Sequence, residues 1–257
     1  MRRLTGVIIA AALGASIVPA AAERLVVAMS SQRVAITSSF IGEDLVLFGT
    51  IEPDSGGTLR DNYDLVVTVT GPPKTFRTRR KERVLGIWVN VDSRDFLRVP
   101  AYLSVLTNRP AAQIAAPDLR RRQQIGMNDY LLTQRVGADF ADTVKADPFR
   151  AAFVQLETQS GLYGERQNGV RFLTPRVFRA NIPVPSNAPL GSYVVDVKLL
   201  AEGKLITQTN SAFEIIKAGF EQYVANAAAN RGLLYGFATA LLALLTGWFA
   251  SVVFRRD

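Results

Sequence analysis

The sequence predicts a mainly β domain that is exported across a membrane and is followed by one membrane-spanning helix near the C-terminus. Three observations predict this fold class: a charge-free apolar run from Gly232 to Phe254, a second apolar segment close to the N-terminus, and many short alternating segments separated by turn residues. A helix of about 23 apolar residues is long enough to cross the hydrocarbon core of a bilayer, which is roughly 30 Å thick.

Residues 1–22 have the three parts of a signal peptide. Arg2 and Arg3 form a charged start, an apolar run extends from Leu4 to Val18, and small residues follow up to Ala22. This pattern predicts export and a mature chain that begins near Glu23. If cleavage does not occur, the segment becomes a second span, and the domain that follows it is exported all the same.

Composition removes several classes of function. The chain has 257 residues, a net charge of +8, no cysteine and no histidine. Thiol nucleophiles, Ser-His-Asp triads, zinc sites and disulfide frameworks are therefore excluded. Carboxylate pairs or a Ser-Lys pair remain for an enzyme. The modest basic excess and the export signal argue against nucleic acid as a partner, and we expect no cofactor and no bound metal.

Residues 23–216 are expected to form one β-sandwich. The segment Asp64–Thr70 (DLVVTVT) alternates, with Leu65, Val67 and Val69 on one face. Several other short segments of this kind lie between the N-terminus of the domain and Asn108. This spacing of strands is typical of a sandwich or barrel and not of a parallel α/β sheet.

Residues 109–168 change in character and predict a helical insertion between strands. Pro117 and Asp118 open a polar helical stretch, and a better helix begins at Asp147-Pro148. Aspartate at the N-cap and proline at the first helical position are both favourable.

The alternating pattern then returns, and one hairpin carries a specific resemblance. Tyr193, Val195, Val197 and Leu199 are expected to face the core, whereas Asp196 and Lys198 are expected to face outward. A tyrosine just inside a penultimate strand is similar to the tyrosine corner of immunoglobulin-like sandwiches. The resemblance predicts an immunoglobulin-like β-sandwich with a helical insertion, although Val195 replaces the cysteine of antibody domains.

The C-terminal part divides into three predicted segments: a neck helix over 217–231, a transmembrane helix over 232–254 and a cytoplasmic tail over 255–257. Arg255 and Arg256 fix the orientation, because short basic flanks stay in the cytoplasm. Within the span, small residues four apart permit contact between helices. These residues are Gly236 and Ala240, and Ala243 and Gly247.

The strongest polar feature is the run KTFRTRRKER from Lys74 to Arg83. It can meet anionic headgroups or an acidic partner, but a solvated edge hairpin whose charges prevent aggregation is the favoured interpretation. Trp88 follows this run and is either a core residue, which we favour, or an exposed contact residue. The candidate partner-binding residues are Arg77, Arg79, Arg80, Lys81, Arg83 and Trp88.

Aspartates flank two loops and are the remaining candidates for chemistry. Asp54, Asp61 and Asp64 surround one loop, and Asp92 and Asp95 surround another. Either group has the residue type for calcium, but the spacing is not that of an EF-hand, and loop aspartates commonly serve turns. A hydrolase would need two carboxyl groups brought together by the fold.

The whole layout resembles a family of transmembrane proteins from alphaproteobacteria. The stretches that carry the resemblance are Asp44–Gly49, Val177–Pro185 with Gly191-Ser192-Tyr193, and the end from Leu234 to Arg256. The resemblance implies a bacterial inner-membrane protein with a periplasmic domain, and it suggests an association with membrane permeases, including sulfite-exporter-like ones. It implies no catalytic residue.

We therefore expect a non-enzymatic binding or accessory module with a lipid bilayer and a neighbouring membrane protein as partners. Two alternatives remain open from the sequence: a membrane-anchored envelope hydrolase that uses a carboxylate pair, and a structural envelope tether.

Overall fold

The computed structural model describes residues 23–53, 60, 62–136, 139–142, 147–219, 224 and 228–253. The predicted signal peptide (1–22), the tail (255–257), and residues 220–223 and 225–227 of the predicted neck helix lie outside the described residues. Three sheets make the described domain, and the prediction of a mainly β fold is confirmed.

The first and second sheets form a sandwich. The first is antiparallel with the order β1-β3-β12-β11, and the second has the order β10-β7-β4-β13-β14-β2. The strands of the first sheet are β1 Arg24–Met29, β3 Gly42–Glu52, β11 Val170–Phe172 and β12 Val177–Pro185. The strands of the second sheet are β2 Arg33–Ile36, β4 Asp64–Thr70, β7 Leu103–Thr107, β10 Tyr163–Gln167, β13 Gly191–Ala201 and β14 Lys204–Lys217.

The second sheet is buried on both faces, because a third layer covers the face away from the first sheet. Leu65, Val67 and Val69 of β4 lie in the core between the first two sheets, as the alternation predicts, whereas Val66 lies in a second core on the other side. The third layer contains a sheet with the order β5-β6-β8-β9 and several helices. Its strands are β5 Pro73–Val84, β6 Ile87–Pro100, β8 Thr133–Val136 and β9 Asp139–Asp142, and its helices are α1 Ala111–Ile114, α2 Pro117–Gln123 and α3 Pro148–Gln159.

The segment 109–168 is only partly helical, which corrects the prediction of a helical insertion. It contains α1, α2 and α3, but β8 and β9 extend the third sheet, and β10 pairs in parallel with β7 of the second sheet. β8 joins β6 across about 40 residues and β10 joins β7 across about 60, so neither pairing has a local sequence signal. The N-terminus of α3 is as predicted, since the Asp147 carboxylate accepts a hydrogen bond of 3.0 Å from the Phe149 amide.

Two tyrosines donate hydrogen bonds to backbone carbonyls, and one of them connects the two layers of the sandwich. The Tyr193 hydroxyl donates to the Pro189 oxygen at 2.7 Å, the geometry expected of a tyrosine corner. The Tyr102 hydroxyl, just before β7 of the second sheet, donates to the Pro183 oxygen in β12 of the first sheet. Burial raises the pKa of Tyr193. The immunoglobulin-like assignment stays a prediction, which the Tyr193 hydrogen bond supports locally.

We expect Tyr193→Phe to lower the free energy of unfolding by about 1 kcal/mol, because it removes one buried hydrogen bond and keeps the ring. The measurement is urea unfolding of the full chain in detergent, followed by circular dichroism. Tyr130→Phe is the matched control, since the Tyr130 hydroxyl makes no hydrogen bond within the described residues. Equal stability of the two variants would contradict the expected role of the Tyr193 hydroxyl.

The register places the β5–β6 hairpin at the end of the second sheet from which the chain leaves for the membrane. Gly191 pairs with Ile215, and Val194 pairs with Thr70. The last residue of β4 therefore lies at the same end as the last residues of β14. The hairpin begins three residues after β4 ends. Its base is thus close to Lys217, the last residue of β14.

Candidate functional site

The most exposed candidate site is the hairpin of β5 and β6, residues Pro73 to Pro100, which we call the arm. Its strands pair from Pro73 opposite Pro100 to Val84 opposite Ile87. A strand of this length extends about 40 Å at roughly 3.4 Å per residue. Leu85 and Gly86 join the two strands.

The base of the arm is held by an aromatic cluster. The Phe153 ring in α3 lies 4.6 Å from the Phe96 ring and 5.4 Å from the Phe76 ring, measured between centroids. β8 pairs with the arm only at Asp95 and Phe96. Beyond this point the two strands of the arm pair with each other. The base is therefore fixed to the domain, and the outer half presents side chains to its surroundings.

The turn at the tip breaks a local rule. Leu85 has φ +50° and Gly86 has φ +88°, so both central residues are left-handed, as in a type I′ hairpin turn. Asparagine, aspartate or glycine normally occupies the first of these positions, because a leucine there costs about 1–2 kcal/mol. The Leu85 side chain is 100% exposed, so no contact within the described chain compensates for this cost. Leu85 is therefore an exposed apolar side chain on a strained backbone.

The tip is apolar and aromatic. Ile87 is 65% exposed and Trp88 is 69% exposed, and Val84 and Val91 are also exposed. The preference for Trp88 as a core residue is therefore wrong. Trp88 pairs with Arg83 near the end of the arm, beyond the reach of either core.

The predicted cations all lie on the arm, and their partners differ. Arg77 makes a two-pronged ion pair with Asp95, with an Nη2 to Oδ2 distance of 2.9 Å. Arg80 lies 3.1 Å from the Glu82 carboxylate, and Arg83 donates to the Gly86 oxygen at 3.2 Å. Within the described residues, Arg79 and Lys81 have no acidic partner. The outer arm thus carries an apolar tip behind which several cations are available for binding.

The ion pair at the base of the arm gives a testable pKa. The hydrogen bond from Arg77 holds the pKa of Asp95 below its usual range. Because the pKa is lower in the folded state, the pair stabilises the fold at neutral pH, and this contribution is lost as the pH falls through the folded pKa. We expect Arg77→Gln to return the pKa of Asp95 toward about 3.9, measured by carboxyl NMR titration. Arg79→Gln is the control, and an unchanged pKa in Arg77→Gln would contradict the assignment.

The candidate carboxylates do not assemble into a metal site within the described residues. Asp64 is buried and accepts both prongs of the Arg109 guanidinium, and Asp92 contacts Arg94 at 3.4 Å. Asp54 and Asp61 lie outside the described residues. Asp64 and Asp95 are therefore each engaged by an arginine.

A buried polar pair lies between the second sheet and the third layer. The sequence pattern did not predict that this pair is buried. Lys198 is only 5% exposed, and its ammonium donates to the Asp196 carboxylate. Both residues point away from the sandwich core, as predicted, but the third layer covers that face. Together with Tyr130 and Gln208 they line a cavity of about 270 Å³. Burial, and then the nearby Asp196, raises the pKa of Tyr130.

The predicted span is helix α4, Gly232–Val253, and its apolar residues are exposed along its whole length. At about 1.5 Å per residue it matches the thickness of a bilayer core. The hydroxyls of Thr239 and Thr246 donate to carbonyls one turn earlier, at 3.0 and 2.8 Å. The hydroxyls of these two threonines are therefore satisfied within the helix, as expected in a bilayer.

The small residues of α4 lie along one line. The spacings of four, three and four residues place them on a single face, and no side chain within the described residues approaches Gly236 or Gly247. These residues are Gly236, Ala240, Ala243 and Gly247.

Comparison with known proteins gives a family. No curated protein and no solved structure matches the chain significantly. The family model described as "Putative transmembrane protein (Alph_Pro_TM)" matches residues 24–256, which include the whole described domain and α4. The chain belongs to this family of transmembrane proteins, which is alphaproteobacterial by name.

Proposed function

We propose that this chain is a non-enzymatic accessory subunit of a neighbouring integral membrane protein, with a permease as the favoured class. Its β domain lies in the periplasm, α4 anchors it in the inner membrane, and the arm contacts the neighbour. The basic residues Arg255 and Arg256 support this orientation.

The observation that carries the proposal is the apolar tip of the arm. Leu85, Ile87 and Trp88 are exposed together at the end of a hairpin whose base is fixed. Tryptophan and arginine are the residues most enriched among those that dominate binding energies at protein interfaces. A rigid arm that ends in such a group is suited to an apolar groove on a partner.

The cations behind the tip favour an acidic rim around that groove. Arg79 and Lys81 have no acidic partner among the described residues, and both are exposed. Charges at the rim of an interface act mainly on the rate of association and on the choice of partner. The expected partner surface is therefore an apolar groove that is bordered by carboxylates.

The membrane anchor restricts the partner to proteins in the same bilayer. The base of the arm lies at the end of the sheet that contains Lys217. Fully extended, the residues 218–231 that join this end to α4 reach at most roughly 50 Å. Such tethering raises the effective concentration of the domain at the bilayer surface, so a weak contact by the arm is sufficient for assembly.

The carboxylates give less support to the hydrolase alternative. A general acid needs a raised pKa, whereas Arg77 lowers the pKa of Asp95. The buried Asp64 is bound by Arg109. Both side chains are placed as structural ion pairs, which favours a binding role for the domain.

The test is affinity purification of the full chain from gently solubilised membranes. The proposal predicts that one polytopic membrane protein is recovered in a stoichiometric amount. Recovery of the chain alone, under conditions in which its own fold is intact by circular dichroism, would contradict the proposal.

A further inference from the structure

A second candidate site lies on the opposite side of the domain from the arm. Arg171 of β11 and Arg179 of β12 are directly opposite each other on the outer face of the first sheet. Like charges at directly opposite positions destabilise a strand pair. Within the described residues neither arginine has an acidic partner, and the Arg179 Nε donates to the Asn181 side-chain oxygen at 3.0 Å. This repulsion is uncompensated in the described chain.

A third arginine and a cavity complete the arrangement. Arg166, at the end of β10, lines the same cavity of about 730 Å³ as Arg171 and Arg179. We call this cavity the arginine cleft. The other polar side chains that line it are Gln167, Asn168, Asn181 and Glu165. Its volume is in the range that is typical of sites for small molecules.

The acidic side chain of the cleft is already engaged. The Glu165 carboxylate accepts a hydrogen bond of 3.0 Å from the Met127 amide. The described lining thus contains three arginines and one carboxylate, and that carboxylate is held by the backbone. The cleft has an excess of positive charge and amide donors, and it is suited to an anion.

The backbone holds the three arginines in place. Asn168 is left-handed with φ +64°, and the Gly169 amide donates to the Arg166 oxygen at 3.2 Å. A Cβ on Gly169 would lie 3.0 Å from that oxygen and 3.0 Å from the Leu106 side chain, so the connection is tightly packed. The Asn181 amide donates to the Gly169 oxygen. The connection thus links the strand that carries Arg166 to the strand that carries Arg179.

Protection of the sheet edge against pairing with another chain does not explain the two opposed arginines. β11 is the edge strand of the first sheet, and one charge on an edge strand is enough to prevent pairing with another chain. Here a second arginine lies directly across on the neighbouring strand, where it adds repulsion without further protecting the edge. Guanidinium groups bind oxyanions through paired hydrogen bonds, and a bound oxyanion would remove the repulsion.

The geometry points to an anion site: we propose that the arginine cleft binds an oxyanion group, namely a phosphate, sulfonate or carboxylate. The source is either a soluble small anion or a lipid headgroup, and both present the same chemistry to Arg166, Arg171 and Arg179. This binding is independent of the arm, because the first sheet and the third layer lie on opposite sides of the second sheet.

The experiment is thermal unfolding of the full chain in detergent with added phosphate, sulfate or citrate, at an ionic strength held constant with sodium chloride. We expect at least one of these anions to raise the unfolding temperature of the wild type. In Arg171→Gln/Arg179→Gln we expect apparent binding to weaken at least about tenfold. In the absence of anion, the same variant should unfold at a higher temperature than the wild type, because the repulsion is gone.

The matched control is Arg24→Gln/Arg121→Gln, which removes the same charge from exposed positions outside both the cleft and the arm. It should keep the wild-type response to anions. A second experiment uses the full chain in nanodiscs with or without phosphatidylglycerol. Stabilisation by that lipid, lost only in Arg171→Gln/Arg179→Gln, identifies a headgroup as the ligand. Equal responses of the two double variants, or no response of the wild type to either the soluble anions or the lipid, would overturn the proposal.

Discussion

Replacing Leu85 and Trp88 by serine is expected to remove the membrane-protein partner from the purified complex without lowering the unfolding temperature. Both side chains are exposed at the tip of the arm and contribute to neither core. Residues that dominate an interface contribute about 2 kcal/mol or more each, which corresponds to a roughly 30-fold change in affinity per residue. Quantitative mass spectrometry of the co-purified proteins measures the loss.

The control removes two exposed leucines from other parts of the domain. Leu156 of α3 and Leu190, just before β13, are each more than half exposed. Leu156→Ser/Leu190→Ser should keep the partner at the wild-type amount. A partner retained by the tip variant, or lost equally from both variants, would show that the tip is not the contact surface.

Phe153→Ala is expected to lower the free energy of unfolding by about 3–5 kcal/mol, the range for truncating a buried phenylalanine. Phe153 is fully surrounded, and its ring contacts those of Phe76, Phe96 and Tyr163 at 5.4, 4.6 and 5.7 Å. It joins α3, the base of the arm and the second sheet. Urea unfolding of the full chain in detergent measures the change, and we also expect faster proteolysis within the arm.

Leu156→Ala on the same helix is the matched control for this prediction. Leu156 lies three residues after Phe153 in the same helix, but its side chain is exposed. Its truncation should change the free energy of unfolding by less than about 0.5 kcal/mol. Similar losses in the two variants would mean that the third layer is not held by the Phe153 cluster.

Local patterns were sufficient for elements whose determinants lie close together in sequence. The alternation of β13, the cap of α3 at Asp147 and the apolar run of α4 each contain their own signal, and each element forms where that signal predicts it. The run DLVVTVT of β4 also held more information than its alternation. A strand with apolar residues at adjacent positions is typical of a sheet that is covered on both faces. Val66 of β4 and Lys198 of β13 are buried because the third layer covers the second face of this sheet.

Pairings between distant residues were not accessible in this way. β10 joins β7 across about 60 residues, and the arginine cleft depends on the register of β11 against β12. Nothing in the local sequence fixes either register. The prediction that Trp88 is a core residue was wrong for a related reason. The exposure of Trp88 depends on how far the arm extends past the third layer. The strained position of Leu85 likewise becomes visible only once the turn is placed between Val84 and Ile87.

Photocrosslinking in intact membranes directly tests whether the tip of the arm contacts a membrane protein. A photoreactive residue replaces Ile87 in one variant, and it replaces Leu156 in a second variant, which is the control. We expect crosslinks from position 87, and none from position 156, to one polytopic membrane protein. Crosslinks from position 87 to lipid alone would contradict the proposed protein contact and identify the tip as a membrane-binding element instead.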